Sequence, residues 1–131
     1  MDNIVSFQES VSPREVAEFL QKESYVCLLF QRKSEGGKTA ILGKLYEYLA
    51  SKNPILCMDD NGATTRFLTR IGSELNADYE DIRKIKQLIK TIVQNYQELK
   101  RSYVWDIEFL ENFNREKQTE KLTQILGHIL G

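Results

Sequence analysis

Two continuous apolar runs, YVCLLF at residues 25–30 and PILCM at 54–58, constrain the fold of this chain more than any other feature. Both are short, and neither has the alternating polar residues of a strand with one face in solvent. Such runs are typical of strands that are buried on both faces of a parallel sheet. A loop and an amphipathic segment of helical length separate them, so the sequence predicts a right-handed β-α-β unit.

The segments around these runs continue the alternation of strands and helices. Residues 3–7 (NIVSF) predict a further short strand, and residues 73–77 (SELNA) predict a weak one. Helical patterns cover the ranges 13–20, 39–52, 63–71 and 78–99, and a last amphipathic helix carries Leu122, Ile125, Leu126, Ile129 and Leu130. The sequence therefore predicts the α/β class, with a Rossmann-like parallel sheet, helices on both faces, and 25–30 and 54–58 as central strands.

Helix boundaries and faces are also readable from the residues. Ser12, Pro13 and Glu15 form a helix start with a capping box, and Asp78 is predicted to cap the long fourth helix. On a helical wheel, the segment 39–52 separates into two sectors. The sheet-facing sector contains Ile41, Leu42, Leu45, Tyr48 and Leu49, and the opposite sector contains Ala40, Gly43, Lys44 and Glu47.

Length and composition indicate one domain of ordinary globular character. The 131 residues carry a net charge of −1 and 41% hydrophobic residues, which gives no indication of a nucleic-acid or membrane-surface partner. We expect an α/β part over 1–101 and a helical segment over 102–131. No apolar stretch approaches the roughly 20 residues of a membrane span, so a cytoplasmic location is expected. Cys27 and Cys57 lie inside the apolar runs and are predicted to be buried, reduced thiols.

Two polar loops, QRKSEGG (31–37) and DDNGA (59–63), follow the two predicted strands. Ligands of open parallel sheets bind at the carboxyl ends of the strands, so both loops should border one site. GGKT at 36–39 suggests a phosphate loop, but a complete motif would need glycine where Arg32 stands. A deviant, ParA-like phosphate loop with Asp59 on Mg²⁺ remains an alternative. A phosphorelay receiver built on Asp59 and Asp60 lacks a convincing phosphoacceptor aspartate downstream.

After the phosphate loop and the receiver aspartates, Glu47 is the third candidate functional site in this region. It lies on the predicted outer side of the helix, next to Gly43, where small side chains leave room for a ligand. The simpler interpretation is that Glu47 is a solvated glutamate paired with Lys44 at i−3, an interaction that is common and contributes little stability.

The stretch GKLYEYLASKNPIL (43–56) resembles a helix and strand of retaining glycosyltransferases with the two-domain GT-B architecture, of the group 1 or family 4 type. FQESVSPREVAEFLQKESYVCLLF (7–30) is similar to the strand–helix–strand run just before it in that family. NREKQTEKLTQILGHIL (114–130) is similar to the family's closing helix. The resemblance covers most of the chain and identifies it as the C-terminal, donor-nucleotide-binding portion of such an enzyme.

The resemblance implies roles for several residues and for partners outside the chain. Glu47 would bind the ribose hydroxyls of a nucleotide-sugar. The donor diphosphate would lie against Gly36, Gly37, Lys38 and Thr39, and Lys44 could reach this diphosphate. Thr39 stands where many members have a second glutamate. The resemblance implies no metal and no cofactor other than the nucleotide-sugar substrate. The resemblance implies that the chain is an incomplete C-terminal half, which an N-terminal acceptor-binding domain would complete, and it assigns no catalytic residue to this chain. A non-catalytic interaction module is the other alternative.

Overall fold

A computed structural model describes residues 4–32, 38–103 and 105–130 and forms a three-stranded parallel sheet between two layers of helices. The elements in chain order are α1 (Pro13–Lys22), β1 (Cys27–Phe30), α2 (Lys44–Ser51), β2 (Ile55–Met58), α3 (Ala63–Arg70), β3 (Asn76–Ala77), α4 (Ile82–Ser102), α5 (Ile107–Glu111) and α6 (Arg115–Leu130). The predicted α/β class is confirmed, and helical crossovers between parallel strands are consistent with a Rossmann-like fold.

The strands lie in the order β1-β2-β3, and both pairs are parallel. Cys27 is paired with Ile55 and Phe30 with Met58, so the two apolar runs lie side by side as predicted. β3 is only two residues long and pairs with the end of β2. Within the described residues β1 therefore lies at the edge of the sheet, and the expectation that both apolar runs form central strands is wrong for β1.

Each face of the sheet has its own apolar core. On one face, Leu45 and Leu49 of α2 pack with α1, α3 and Trp105 against alternate residues of β1 and β2. On the other face, Leu88, Ile92 and Leu99 of α4 pack near Leu56. The sheet is thus covered on both faces, but the single helix α4 covers the second.

The predicted start of α1 is confirmed in detail. The Ser12 hydroxyl accepts a hydrogen bond from the Glu15 amide at 3.3 Å, and the Glu15 carboxylate accepts one from the Ser12 amide at 2.8 Å. Pro13 occupies the first turn, where its missing N–H costs nothing. This capping box fixes the entry of α1 onto the sheet.

Helix α2 begins at Lys44, five residues later than predicted. A helix starting at Thr39 would need the Leu42 amide to bond the carbonyl of Lys38. Instead, the Leu42 amide donates to the Thr64 hydroxyl, and the Lys38 carbonyl accepts from the Arg66 guanidinium. Side chains of α3 thus take both groups and keep residues 38–43 in a turn.

The structure tests three further sequence predictions, namely the strand at 3–7, the cap of α4 and the end of α3. Residues 4–7 are exposed and form no strand, so the predicted strand at 3–7 is wrong for its described part, because no neighbouring strand pairs with it. Asp81, not Asp78, caps α4 by accepting from the Lys84 amide at 2.9 Å. Gly72 ends α3 as predicted, with a φ of 94° that favours glycine.

Beyond α4 the chain returns to the first face of the sheet. Trp105, Phe109 and Phe113 pack against the core there, whereas every described side chain of α6 is exposed, including His128. Cys27 and Cys57 are free and buried, as predicted. Among the described helices, none combines the length and the apolar character that crossing a membrane requires.

Candidate functional site at the carboxyl ends of the strands

The carboxyl ends of β1 and β2 lead into the turn 38–43 and the start of α3, where a ligand of a parallel sheet is expected. Three structural features meet there. They are the carboxylate of Asp59, a hydrogen-bonded bridge centred on Thr64, and the guanidinium of Arg66. All three connect segments of this rim to one another.

Asp59 organises the start of α3. Its side chain is only 1% exposed. One oxygen, Oδ2, accepts from the Gly62 amide at 3.2 Å, the Thr65 amide at 3.3 Å and the Thr65 hydroxyl at 3.1 Å. The other, Oδ1, accepts from the Asp60 amide at 2.7 Å. A carboxylate that satisfies orphan amides at a helix start stabilises the helix and its dipole.

This arrangement bears on two alternatives for Asp59, namely a Mg²⁺ ligand in a deviant phosphate loop and a member of the acidic pocket of a phosphorelay receiver. Oδ2 is already used at the start of α3 and Oδ1 by the preceding Asp60 amide, so a role as a Mg²⁺ ligand or in an acidic receiver pocket would compete with these hydrogen bonds. Among the described residues, no group of three or more His, Cys, Asp and Glu side chains is placed to hold a metal ion. The structure therefore gives Asp59 a structural role.

Thr64 connects α3 to β1 and to the turn before α2. Its side chain is fully buried, and its hydroxyl donates to the Gln31 amide oxygen at 2.9 Å while accepting from the Leu42 amide at 3.3 Å. A buried hydroxyl that both donates and accepts has its donor and one of its two acceptor positions satisfied. The turn is thereby fixed relative to the end of β1.

Arg66 holds the same turn from the solvent side. One guanidinium nitrogen donates to the Lys38 carbonyl at 2.9 Å, and the other donates to the Asn61 carbonyl at 3.1 Å. The guanidinium therefore joins the loops that follow β1 and β2. Neither Thr64 nor Arg66 is among the site residues predicted from the sequence. A weak signal was available, because polar side chains in the first turn of a helix that follows a buried strand lie at this rim.

Lys44 and Glu47 lie on the outer side of α2, as the helical wheel predicted. The Lys44 ammonium donates to Glu47 Oε2 at 2.5 Å, and the two side chains are 46% and 54% exposed. The hydrogen bond to Glu47 raises the pKa of Lys44 above its ordinary value, and the charge of the nearby carboxylate acts in the same direction. The pair is solvent-screened, so its contribution to stability is small.

Open grooves lie on both sides of Glu47. One, of about 530 Å³, lies between α1 and α2 and is lined by apolar side chains, among them Val16 and Leu20, with Lys44 and Glu47 at its polar wall. The second, also of about 530 Å³, lies between α2 and α6, and its lining includes Gly43, Tyr46, Phe113 and Arg115. A Cβ built on Gly43 would meet no atom within 4 Å. Glu47 is thus accessible to a ligand from either side.

The predicted site residues divide into three sets. Lys44 and Glu47 form one contact pair on α2, and Lys38 and Thr39 lie in the exposed turn that precedes the helix. Gly36 and Gly37 lie outside the described residues. Because α2 begins at Lys44, the helix N-terminus lies beside Gly43 rather than beside Thr39, later in the chain than predicted, and the Leu45 and Tyr46 amides of its first turn already donate to the carbonyls of Leu42 and Gly43.

Cys57, in β2 close to this rim, has no nucleophilic role. Burial raises the pKa of its thiol to about 11, and its sulfur lies 3.8 Å from the Thr65 hydroxyl. Since the thiolate is the reactive form, the thiol stays inert at neutral pH. It serves as a small apolar side chain in the core.

Comparison with models of protein families, with curated proteins and with solved structures finds no significant match to this chain.

Proposed function

We propose that the chain is the nucleotide-sugar-binding C-terminal portion of a retaining glycosyltransferase of the GT-B architecture. Its parent enzyme would transfer a sugar from a nucleoside-diphosphate donor to a glycan or lipid-linked acceptor. The proposal rests on the sequence resemblance over 43–56 and on one structural observation. Glu47 projects from the outer side of a helix whose other side is fixed in the core, with open space beside Gly43 and grooves on both flanks.

The chemistry of Glu47 suits a ribose. An ionised carboxylate only accepts hydrogen bonds, and its two oxygens offer about four lone-pair positions. Lys44 uses one of these on Oε2. The remaining positions can accept from two neighbouring hydroxyl groups, such as the 2′- and 3′-hydroxyls of a nucleoside.

The turn before α2 suits the diphosphate of the same donor. Residues 38–43 are held in place by Thr64 and Arg66, so the backbone is fixed before a ligand arrives. The first turn of α2 follows directly, and a helix N-terminus favours negative charge. Gly43 has no side chain to block an approaching phosphate, and the Lys44 ammonium adds a positive charge next to it.

The chain contributes to binding rather than to the chemical step in this proposal. The acceptor-binding wall of the cleft would come from an N-terminal domain of the parent enzyme. Any peripheral association with a membrane would come through that domain. No metal or other cofactor is part of the proposal.

Ligand binding separates this proposal from the phosphate-loop alternative. We expect UDP-sugars or GDP-sugars to bind without added metal, and we expect ATP with Mg²⁺ to bind no better than ATP alone. Isothermal titration calorimetry or ligand-observed NMR over a panel of these nucleotides measures both. Binding of ATP only with Mg²⁺ would contradict the proposal and favour the deviant phosphate loop.

A non-catalytic interaction module is the second candidate. One observation favours it, namely the incompletely covered edge strand β1, whose Leu28 and Phe30 side chains are more than half exposed. It predicts no nucleotide binding at all together with specific binding of another polypeptide.

A further inference from the structure

The groove between α2 and α6 differs in its charge from the groove between α1 and α2. Lys44 and Glu47 form the polar wall of the α1–α2 groove, and their charges cancel in the ion pair. The α2–α6 groove also borders Glu47, but the cationic side chain that lines it is Arg115, the first residue of α6. Within the described residues Arg115 forms no ion pair. The α2–α6 groove therefore has an uncompensated positive charge beside Glu47.

The start of α6 holds Arg115 at this groove. Phe113, two residues earlier, packs on the rings of Phe67 and Phe109, with centroid distances of 5.1 Å and 5.3 Å. Asn114 caps α6, because its side-chain oxygen accepts from an amide of the first helical turn at 2.8 Å. The backbone of Arg115 is thus fixed by a core contact and a helix cap, while its side chain is exposed.

Gly43 indicates which groove the anionic part of a donor enters. Among the described residues, Gly43 lines the α2–α6 groove but not the α1–α2 groove. A ligand can come close to its backbone, since a Cβ built there would meet no atom within 4 Å. The Leu45 and Tyr46 amides of the next turn already donate to backbone carbonyls. Positive charge on this side of α2 must therefore come from a side chain, and Arg115 supplies it.

The spacing of Gly43 and Glu47 suits two parts of one nucleotide. Gly43 has helical φ and ψ, so the two residues are i and i+4 neighbours on one side of the helix, roughly 5–6 Å apart. The ribose and the 5′-diphosphate of a nucleotide are joined directly. A ribose on Glu47 therefore leaves the diphosphate within reach of Gly43 and of the groove that Arg115 lines.

We propose that Arg115 binds the diphosphate of the nucleotide donor, across the α2–α6 groove from Gly43. This role rests on the proposed function, in which Glu47 binds the ribose of the same donor. A guanidinium presents its N–H donors in a planar fork and can bind two phosphate oxygens at once. Helix α6 is then part of the donor site and not only a closing helix.

The simpler alternative is that Arg115 is a solvated surface arginine. Arg83 provides the comparison, because it is also exposed, lies in the first turn of a helix, α4, and forms no ion pair within the described residues. It lies on the other face of the sheet, away from both grooves at Glu47.

Nucleosides and their diphosphates, titrated into the ¹⁵N-labelled full chain, test the role of Arg115. Uridine and guanosine contain the ribose but no phosphate, UDP and GDP contain both, and inorganic pyrophosphate contains the diphosphate alone. We expect UDP or GDP, and pyrophosphate more weakly, to shift the Nε–H resonance of Arg115. The nucleosides should leave this resonance unchanged.

Variants separate a phosphate contact from a general charge effect. Arg115→Gln should weaken binding of UDP or GDP about tenfold and change nucleoside binding by less than about twofold, because a charge-assisted contact to the phosphates is lost. Arg115→Lys keeps the charge without the planar fork, so it should recover part of the loss. Arg83→Gln should leave all of these affinities unchanged. Since both positions are exposed, the urea midpoints of the variants should match that of the wild type.

Three outcomes would overturn the role of Arg115. They are an Arg115 resonance that none of UDP, GDP and pyrophosphate shifts, equal losses of diphosphate affinity in Arg115→Gln and Arg83→Gln, and equal losses of nucleoside and diphosphate affinity in Arg115→Gln. If Glu47→Gln weakens diphosphate binding and Arg115→Gln does not, this role fails while the proposed function stands. If pyrophosphate shifts the Arg115 resonance but no nucleotide binds, the groove remains a diphosphate site while the proposed function fails.

Discussion

Glu47 and Glu18 are two glutamates in nearly matched local settings. Glu18 on α1 accepts from Arg14 at 3.1 Å and has a side chain 49% exposed, while Glu47 accepts from Lys44 at 2.5 Å and is 54% exposed. Both ion pairs are solvent-screened and add little stability. What differs is the surrounding space, because Glu18 borders one groove, whereas Glu47 has an unobstructed glycine one turn before it and a groove on each side.

The substitution Glu47→Gln tests the ribose role at the residue scale. Glutamine keeps the shape but has one acceptor oxygen, and hydrogen bonds to a charged group are worth about 1.5–3 kcal/mol. We expect donor affinity to fall roughly 10-fold or more, and the free energy of unfolding to change by less than about 0.5 kcal/mol. Calorimetric titration with the nucleotide-sugar, in the complete parent enzyme where the chain alone binds too weakly, measures the affinity.

Glu18→Gln is the control, since it removes the same charge from a similarly exposed glutamate, which pairs with Arg14 and, at 3.9 Å, with Lys22. It should leave donor affinity unchanged. Equal losses in the two variants would indicate a general charge effect, and no loss in Glu47→Gln would leave this residue a solvated helix glutamate.

Thr64 is expected to control the turn before α2. In Thr64→Val the shape is nearly kept, but the Leu42 amide loses its acceptor and the Gln31 side chain loses the Thr64 hydroxyl as a partner. Leaving the Leu42 amide unpaired costs about 1–3 kcal/mol, so a clear loss of stability is expected. Hydrogen exchange should show faster exchange of the Leu42 amide than in the wild type. Unchanged exchange at Leu42 would mean that Thr64 does not hold the turn.

At the scale of elements, helices α1 and α2 are secured in different ways. The start of α1 depends on local capping groups at the surface, whereas α2 lacks a side-chain cap and depends on Leu45 and Leu49 in the core. Capping is worth about 1 kcal/mol, and removal of a buried leucine side chain costs about 2–5 kcal/mol.

Leu45→Ala should therefore destabilise the chain by about 2–5 kcal/mol, and Ser12→Ala by about 1 kcal/mol. Leu45 is fully buried, so its truncation leaves a cavity, whereas Ser12 is exposed and loses one hydrogen bond to the Glu15 amide. Urea titration of both variants gives the comparison. If Leu45→Ala is no worse than Ser12→Ala, the orientation of α2 is wrong and so is the outward direction of Glu47.

The elements also show which parts of the fold the sequence could predict. The β1–β2 pair, the capping box at Ser12 and the outer position of Glu47 follow from local patterns of polarity and hydrogen-bonding groups. The start of α2 could not be predicted, because Thr64 and Arg66, more than twenty residues away, take the groups that would extend it. Asp59 was a candidate Mg²⁺ ligand for a similar reason, since only the structure shows that the Asp60 amide and the start of α3 use its two oxygens.

At the scale of the whole molecule, the two faces of the sheet are unequally covered. Among residues 4–32, 38–103 and 105–130, helices α1, α2 and α3 with Trp105 cover one face, α4 is the one helix on the other, and the side of β1 remains partly open. The Tyr103 hydroxyl, just after α4, accepts from the Ile55 amide of β2 at 3.2 Å and lies 2.6 Å from the Ser73 hydroxyl. Cys57 of β2 is buried in the core on the face that α1, α2 and α3 cover. A charge on either side chain would destabilise the folded state, because both groups are removed from water.

Alkaline pH should expose this dependence. Burial raises the pKa of Cys57 to about 11 from an ordinary value of 9.0, so the folded state binds more protons than the unfolded state between these values. Stability should be fully present below about pH 9 and fall as the pH rises towards 11, by at most about 3 kcal/mol for Cys57. Burial likewise raises the pKa of Tyr103, which acts in the same direction above about pH 10. Urea titrations from pH 8 to 11 measure the loss, and Cys57→Ala, although less stable at pH 8, should lose less stability with rising pH. An equal pH slope in the wild type and Cys57→Ala would show that the thiol of Cys57 does not ionise with unfolding.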